Sequence, residues 1–149
     1  MKNIDVTIRA YQAADLEALS AIWFEASMLA HPFIGEARLR EQRALIETVY
    51  LPKAETWVAC TDDQPAGFIS LLDNFIGGLF VSPRRQGLGI GRALVAHAKA
   101  LKGELELEVY LDNHQACAFY HTLGFDEVSR RTHDDQGLPF GNAHLILRA

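Results

Sequence analysis

Residues 75–101 constrain the fold more than any other stretch. Phe75-Ile76-Gly77-Gly78-Leu79-Phe80-Val81 is a dense apolar run that reads as a buried strand. Arg84-Arg85-Gln86-Gly87-Leu88-Gly89-Ile90-Gly91 follows as a glycine-rich loop, and Arg92 to Leu101 reads as a helix. Strand, glycine loop, helix is an arrangement that binds phosphate. Glycines let successive backbone N–H groups converge, and the helix N-terminus adds roughly half a positive charge. A side chain at Gly89 or Gly91 would hinder the approach of a phosphate. The plainer alternative is a tight strand-to-helix turn that binds nothing. The paired Gly77 and Gly78 predict a bulge or a close backbone approach.

Two well-known phosphate loops fail on this sequence. The dinucleotide fingerprint G-x-G-x-x-G, started at Gly87, needs glycine or alanine where Arg92 stands. The pattern G-x-x-x-x-G-K-[ST] fails because no Gly-Lys-Ser/Thr follows. Hydride transfer and nucleotide hydrolysis both lose ground.

The rest of the chain reads as a mixed α/β fold. Val6–Ala10 alternates as a first strand. Asp15 is placed to cap a helix carrying Leu16, Leu19, Ile22, Trp23, Ala26 and Leu29 at helical spacing, broken by Pro32. A second helix is expected from Glu36 to about Tyr50, stopped by Pro52. Thr56–Cys60 and Gly67–Leu72 form a hairpin around Asp62-Asp63-Gln64-Pro65. Leu105, Leu107, Val109 and Leu111 share one face of a further strand. A short helix carries Ala116, Phe119, Tyr120 and Leu123 and closes at Gly124. Phe125–Arg131 and Ala143–Arg148 are the last two strands. The order β-α-α-β-β-β-α-β-α-β-β implies a mixed, mostly antiparallel central sheet flanked by helices.

The 149 residues, with 49% hydrophobic and 22% charged, suit one globular core. No repeat or linker divides residues 1–149, so one domain is expected. Fourteen basic residues against nineteen acidic give a net charge of −5, which argues against a general nucleic-acid binder. Met1–Asp5 carries no apolar leader, and no apolar run is long enough to span a membrane. Cys60 and Cys117 make no disulfide scaffold, so a cytoplasmic setting with reduced thiols is expected. The six histidines show no metal-ligand spacing, and no metal is expected. Cys117 could carry a covalent acyl group, but its place on a small-residue helix face favours packing.

Gln86-x-x-Gly89-x-Gly91 resembles the acetyl-CoA signature Q/R-x-x-G-x-G/A of the GNAT superfamily of N-acetyltransferases. Asn113-x-x-Ala116-x-x-Phe119-Tyr120-x-x-x-Gly124-Phe125 resembles a second signature of that family, N-x-x-A-x-x-F-Y-x-x-x-G-F. The two stand at the family's spacing, and the element order matches over nearly the whole chain. Small single-domain bacterial members are the most similar.

The resemblance implies acetyl transfer from acetyl-CoA to a primary amine by direct attack in a ternary complex. It assigns the coenzyme pyrophosphate to Gln86, Gly87, Leu88, Gly89, Ile90, Gly91 and Arg92. It assigns the pantetheine arm to the backbones of Leu79, Phe80 and Val81, with Asn113 and Phe119 in contact. A bulge at Gly77-Gly78 would splay this strand from Leu105–Leu111 and open the slot. Tyr120 would protonate the departing thiolate. Glu108 would remove the amine's proton; the alternative is that Glu104, Glu106 and Glu108 form a solvated face. Many relatives carry an acid where Gly77 and Gly78 stand, which leaves Asp73 as a second candidate. His31 and Phe33, between the first two helices, are candidates for an acceptor wall. The acceptor is then a small-molecule or peptide amine, and the assembly a monomer or homodimer. A non-catalytic acyl-CoA sensor, or a degenerate GNAT interaction module, is the alternative.

Overall fold

The computed structural model describes residues 5–149; Met1–Ile4, read above for a leader, lie outside the described residues. A seven-stranded sheet runs β1-β2-β3-β4-β5-β7-β6. Its strands are β1 Val6–Ala10, β2 Glu55–Thr61, β3 Gln64–Leu72, β4 Phe75–Val81, β5 Leu105–Tyr110, β6 Asp126–Arg131 and β7 Asn142–Leu147. All neighbours are antiparallel except β4 and β5.

Helices cover both faces, and strand alternation divides the core accordingly. Val58, Cys60 and Phe68 point toward α1 (Leu16–Ala30) and α2 (Glu36–Leu45), where Leu19, Ile22, Trp23 and Leu39 are buried. Ala59, Ile69 and Leu71 point the other way, toward Leu94, Val95 and Ala98 of α4 (Ile90–Lys102). β2 and β3 are therefore buried on both faces, which explains their near-continuous apolar character. The β2–β3 hairpin turns through Asp62 and Asp63 at φ +52° and +62°. Positive φ at both turn positions matches the twist of the strands, and Asp tolerates it better than most residues.

Three local expectations are corrected. The Asp15 carboxylate does not cap α1. It turns back to the Gln12 N–H at 2.9 Å and takes a two-pronged bond from Arg9 at 2.8 Å. Pro52 does not stop the second helix. The chain passes through a π-turn at Ile46–Tyr50 and one more turn, α3 (Leu51–Lys53), with Pro52 in that first turn, where its missing N–H is tolerated. Leu29 is 69% exposed rather than part of the apolar face.

The bulge at Gly77 positions the site. Ser70 faces Gly78 but Leu71 faces Ile76, so Gly77 is the extra residue on β4. β4 and β5 pair only at Phe75↔Glu106 and Ile76↔Leu107, then diverge. From Gly77 to Val81, β4 has β3 on one side and, among the described residues, no strand on the other.

Candidate active site

The divergence leaves a cleft of about 480 Å³ between β4 and β5. Leu79, Phe80 and Val81 form one wall, and Glu108, Val109 and Tyr110 the other. The glycine loop closes one end. Asn113, Phe119 and Tyr120 enter from α5 (His114–Thr122), and His31 enters from the end of α1.

The loop is a phosphate nest in geometry. Gly87 and Gly89 adopt φ +82° and +78°, and Gly89 is the N-cap of α4. A Cβ on either would meet nothing within 4 Å. Backbone conformation, not packing, therefore calls for glycine at both positions, and the space beside them is open. Arg85 and Arg92 line the same end; among the described residues neither forms an ion pair. An unblocked helix N-terminus, two left-handed glycines and two uncommitted guanidinium groups fit a pyrophosphate. Gly91 is different. A Cβ there would stand 3.3 Å from Phe119 Cζ, so close packing against Phe119 limits it rather than phosphate. Gln86, Ile90 and Arg92 line the cleft, whereas Leu88 projects outside its lining.

Tyr120 is 8% exposed, its ring held edge-on by Phe119 at 5.2 Å and Phe125 at 5.3 Å. The residue lines the cleft, and among the described residues its hydroxyl has no protein hydrogen-bond partner. Burial raises its proton affinity above that of an ordinary phenol.

Glu108 reaches the cleft from the other wall. Glu104 and Glu108 are exposed on the face they share with Glu106, and two of the three carboxylates are paired. Arg131 Nη2 donates to Glu108 Oε2, and Glu106 Oε1 lies 2.8 Å from His144 Nε2. Asp73 does not reach the cleft. It sits exposed in the β3–β4 turn at φ +54°, before the stretch where the strands part. Phe33 is also outside the lining, but packs edge-on against His31 at 5.6 Å and Tyr110 at 5.4 Å. Cys117 lies in a separate shallow hollow with Leu111 and Phe125. Its S–H points to the Tyr110 carbonyl at 3.5 Å, and burial pushes the thiol's proton affinity up. Neither feature suits a nucleophile.

Sequence spacing missed Tyr110, Arg131 and Asp134. Tyr110 packs its ring on His31 and donates to Asp134 Oδ2 at 3.0 Å, and burial opposes its ionisation. The one available signal was Tyr110's position on the strand face opposite Val109, three residues before Asn113. Arg131 and Asp134 join the site only through the β5-β7-β6 pairing, which the linear sequence does not order.

A mixed sheet parted at one parallel pair, with a glycine nest at the opening, is the arrangement that the resemblance to the N-acetyltransferases implied, and the fold alone does not fix its chemistry. Residues 17–125 match the Acetyltransferase (GNAT) family. The chain is 37% identical to the peptidyl-lysine N-acetyltransferase YjaB of Salmonella typhimurium over 95% of this chain and 97% of that protein. It superposes on the solution structure of apo-form YjaB from Escherichia coli with a TM-score of 0.88 and 35% identity, covering 97% of this chain and 99% of that one. It shares the fold of the PaiA N-acetyltransferase of Thermoplasma acidophilum, solved in complex with coenzyme A, at a TM-score of 0.76 and 19% identity, covering 94% and 98%. The chain belongs to the GNAT family of acetyltransferases. Its activity is acetyl-CoA-dependent transfer of an acetyl group to nitrogen.

Proposed function

We propose that residues 1–149 act as one domain that acetylates the side-chain amine of a lysine in a peptide or protein. The observation that carries this is the parting of β4 from β5 after Ile76 and Leu107, with the glycine nest at one end and both Tyr120 and Glu108 lining the opening. A bound acetyl-CoA supplies the activated acetyl group. Gly87, Gly89 and the N-terminus of α4 hold its pyrophosphate, helped by Arg85 and Arg92. The free backbone edge of Leu79–Val81 hydrogen-bonds its amide-bearing arm as an added strand would. A backbone N–H near Leu79 or Phe80 steadies the thioester oxygen as charge grows on it.

A lysine ammonium near pKa ~10.4 must lose a proton before it attacks. Glu108 takes that proton, directly or through one water. Tyr120 gives its proton to the departing sulfur. Asp135 offsets the charge of Arg131 beside Glu108, and Asp134 adds a carboxylate on the same β6–β7 loop, so the surroundings stay negative, which favours a cationic acceptor. The name of the Salmonella relative points to the same acceptor class. Among the described residues no helix is long and apolar enough to cross a membrane, and a cytoplasmic setting, where acetyl-CoA is available, is consistent with this chemistry.

A panel of acceptors, followed by release of free thiol from acetyl-CoA, tests the proposal. Peptides with one internal lysine and a blocked N-terminus should turn over. Turnover with free amino acids or small polyamines, and none with lysine peptides, would contradict it.

A further inference from the structure

Arg131 stands at the end of β6, an edge strand, yet its guanidinium reaches past β7 to Glu108 on β5. Its Nε donates to Asn142 Oδ1 at 3.2 Å. Its Nη2 donates to Asp135 Oδ1 at 2.9 Å and to Glu108 Oε2. Asn142 is a firm support: it is 4% exposed, and its Nδ2 donates to the carbonyls of His133 at 3.0 Å and Phe140 at 3.3 Å. One buried amide and two carboxylates therefore fix the guanidinium plane.

An exposed ion pair contributes little to stability. This one lies where chemistry needs a carboxylate in a set orientation. Oε2 of Glu108 is taken by Arg131, and among the described residues Oε1 has no protein partner. Asp135 balances the guanidinium, so the three groups carry one net negative charge. That charge remains for an incoming ammonium. The other charged groups nearby are Asp134, which accepts from Tyr110, and the Glu106–His144 pair on the adjacent strands.

We propose that Arg131 is a positioning residue for acetyl transfer: anchored by Asn142 and neutralised by Asp135, it holds Oε2 of Glu108 and presents Oε1 to the acceptor amine. This rests on the reading of Glu108 as the proton acceptor. Arg131 touches no reactant itself. It removes the rotational freedom of a side chain that would otherwise sample several rotamers.

The test uses the full chain with acetyl-CoA and a single-lysine peptide. Arg131→Ala should lower kcat about tenfold while leaving KM for acetyl-CoA unchanged. Guanidinium chloride at tens of millimolar should restore part of that loss, because it fills the vacated place between Asn142, Asp135 and Glu108. Placed on Glu108→Gln, Arg131→Ala should cost almost nothing more, and guanidinium should rescue nothing. Equal losses in both backgrounds, or an Arg131→Ala enzyme with unchanged kcat, would overturn the positioning role while leaving Glu108 as base. A Glu108→Gln enzyme with wild-type turnover would instead overturn the base and the positioning role together. A second readout needs no acceptor. The Arg131 Nη2 protons, which bond Glu108 and Asp135, should exchange slowly with solvent in the wild type and faster in Glu108→Gln. Wild-type exchange as fast as that of exposed Arg84 would also overturn the proposal.

Discussion

Asn113 Nδ2 lies 3.1 Å from His31 Nε2, and this bond ties the start of α5 to the end of α1 beside the cleft. The Asn113 amide is fixed from both ends, because its Oδ1 also accepts the Ala116 N–H at 3.2 Å as the cap of α5. A histidine nitrogen that accepts carries no proton, so His31 is neutral with its proton on Nδ1. Burial acts in the same direction and pushes its pKa down to about 4. His31 thus meets Asn113 as a neutral partner at the edge of the cleft.

That relationship gives a pH dependence of stability with a definite sign. The folded chain keeps His31 neutral down to about pH 4, whereas an unfolded histidine protonates near pH 6.5. Between those values the unfolded state binds more protons, so stability falls as pH drops through this window. Going from pH 7 to pH 4.5 should cost about 2–3 kcal/mol from this group. Urea midpoints of the wild type and His31→Gln, measured at both pH values, isolate it. The His31→Gln profile should be flatter by that amount; parallel profiles would remove His31 as the cause.

The glycine nest predicts a ligand-dependent rise in melting temperature. Acetyl-CoA at about 100 times its Kd should stabilise the fold by roughly 2.7 kcal/mol. For a domain of this size that is about 5–11 °C in Tm. CoA should do the same, and NAD or ATP at equal concentration should do little. Gly89→Ala places a Cβ at φ +78° in the open end of the cleft. It should cost about 1–2 kcal/mol in the free protein and abolish most of the acetyl-CoA shift. A full shift in Gly89→Ala, or a larger shift with NAD than with CoA, would count against the nest.

Much of this site was legible in sequence because its parts are local. The Gly77-Gly78 pair announced a bulge, the loop from Gln86 to Gly91 announced a nest, and Leu105 to Leu111 alternated without ambiguity. What was not legible depends on contacts between distant segments. Arg131 and Glu108 lie 23 residues apart and meet only because β7 inserts between β5 and β6. Gly91 read as a phosphate position, but Phe119 in three dimensions is what limits it. Pro52 read as a helix stop because a proline clashes with the preceding turn of a regular α-helix, and the π-turn before it changes that geometry.

Asp73 offers a clean negative prediction. Its residue type is explained by the left-handed turn it occupies, outside the cleft. Asp73→Asn should leave kcat and KM with a lysine peptide within about twofold of the wild type, the range of a remote surface change. A loss of tenfold or more would return Asp73 to the list of proton acceptors.

On the proposed reading Tyr120, buried in the cleft, protonates the leaving sulfur during transfer to a lysine amine. The most direct measurement is the rate of thiol release by Tyr120→Phe in a single turnover with bound acetyl-CoA and a single-lysine peptide. The ring and its contacts with Phe119 and Phe125 are kept, and only the proton is removed. The rate should fall about 10²-fold or more, within the usual range for general acid catalysis, while the Kd for acetyl-CoA stays the same. A wild-type rate in Tyr120→Phe would contradict the assignment.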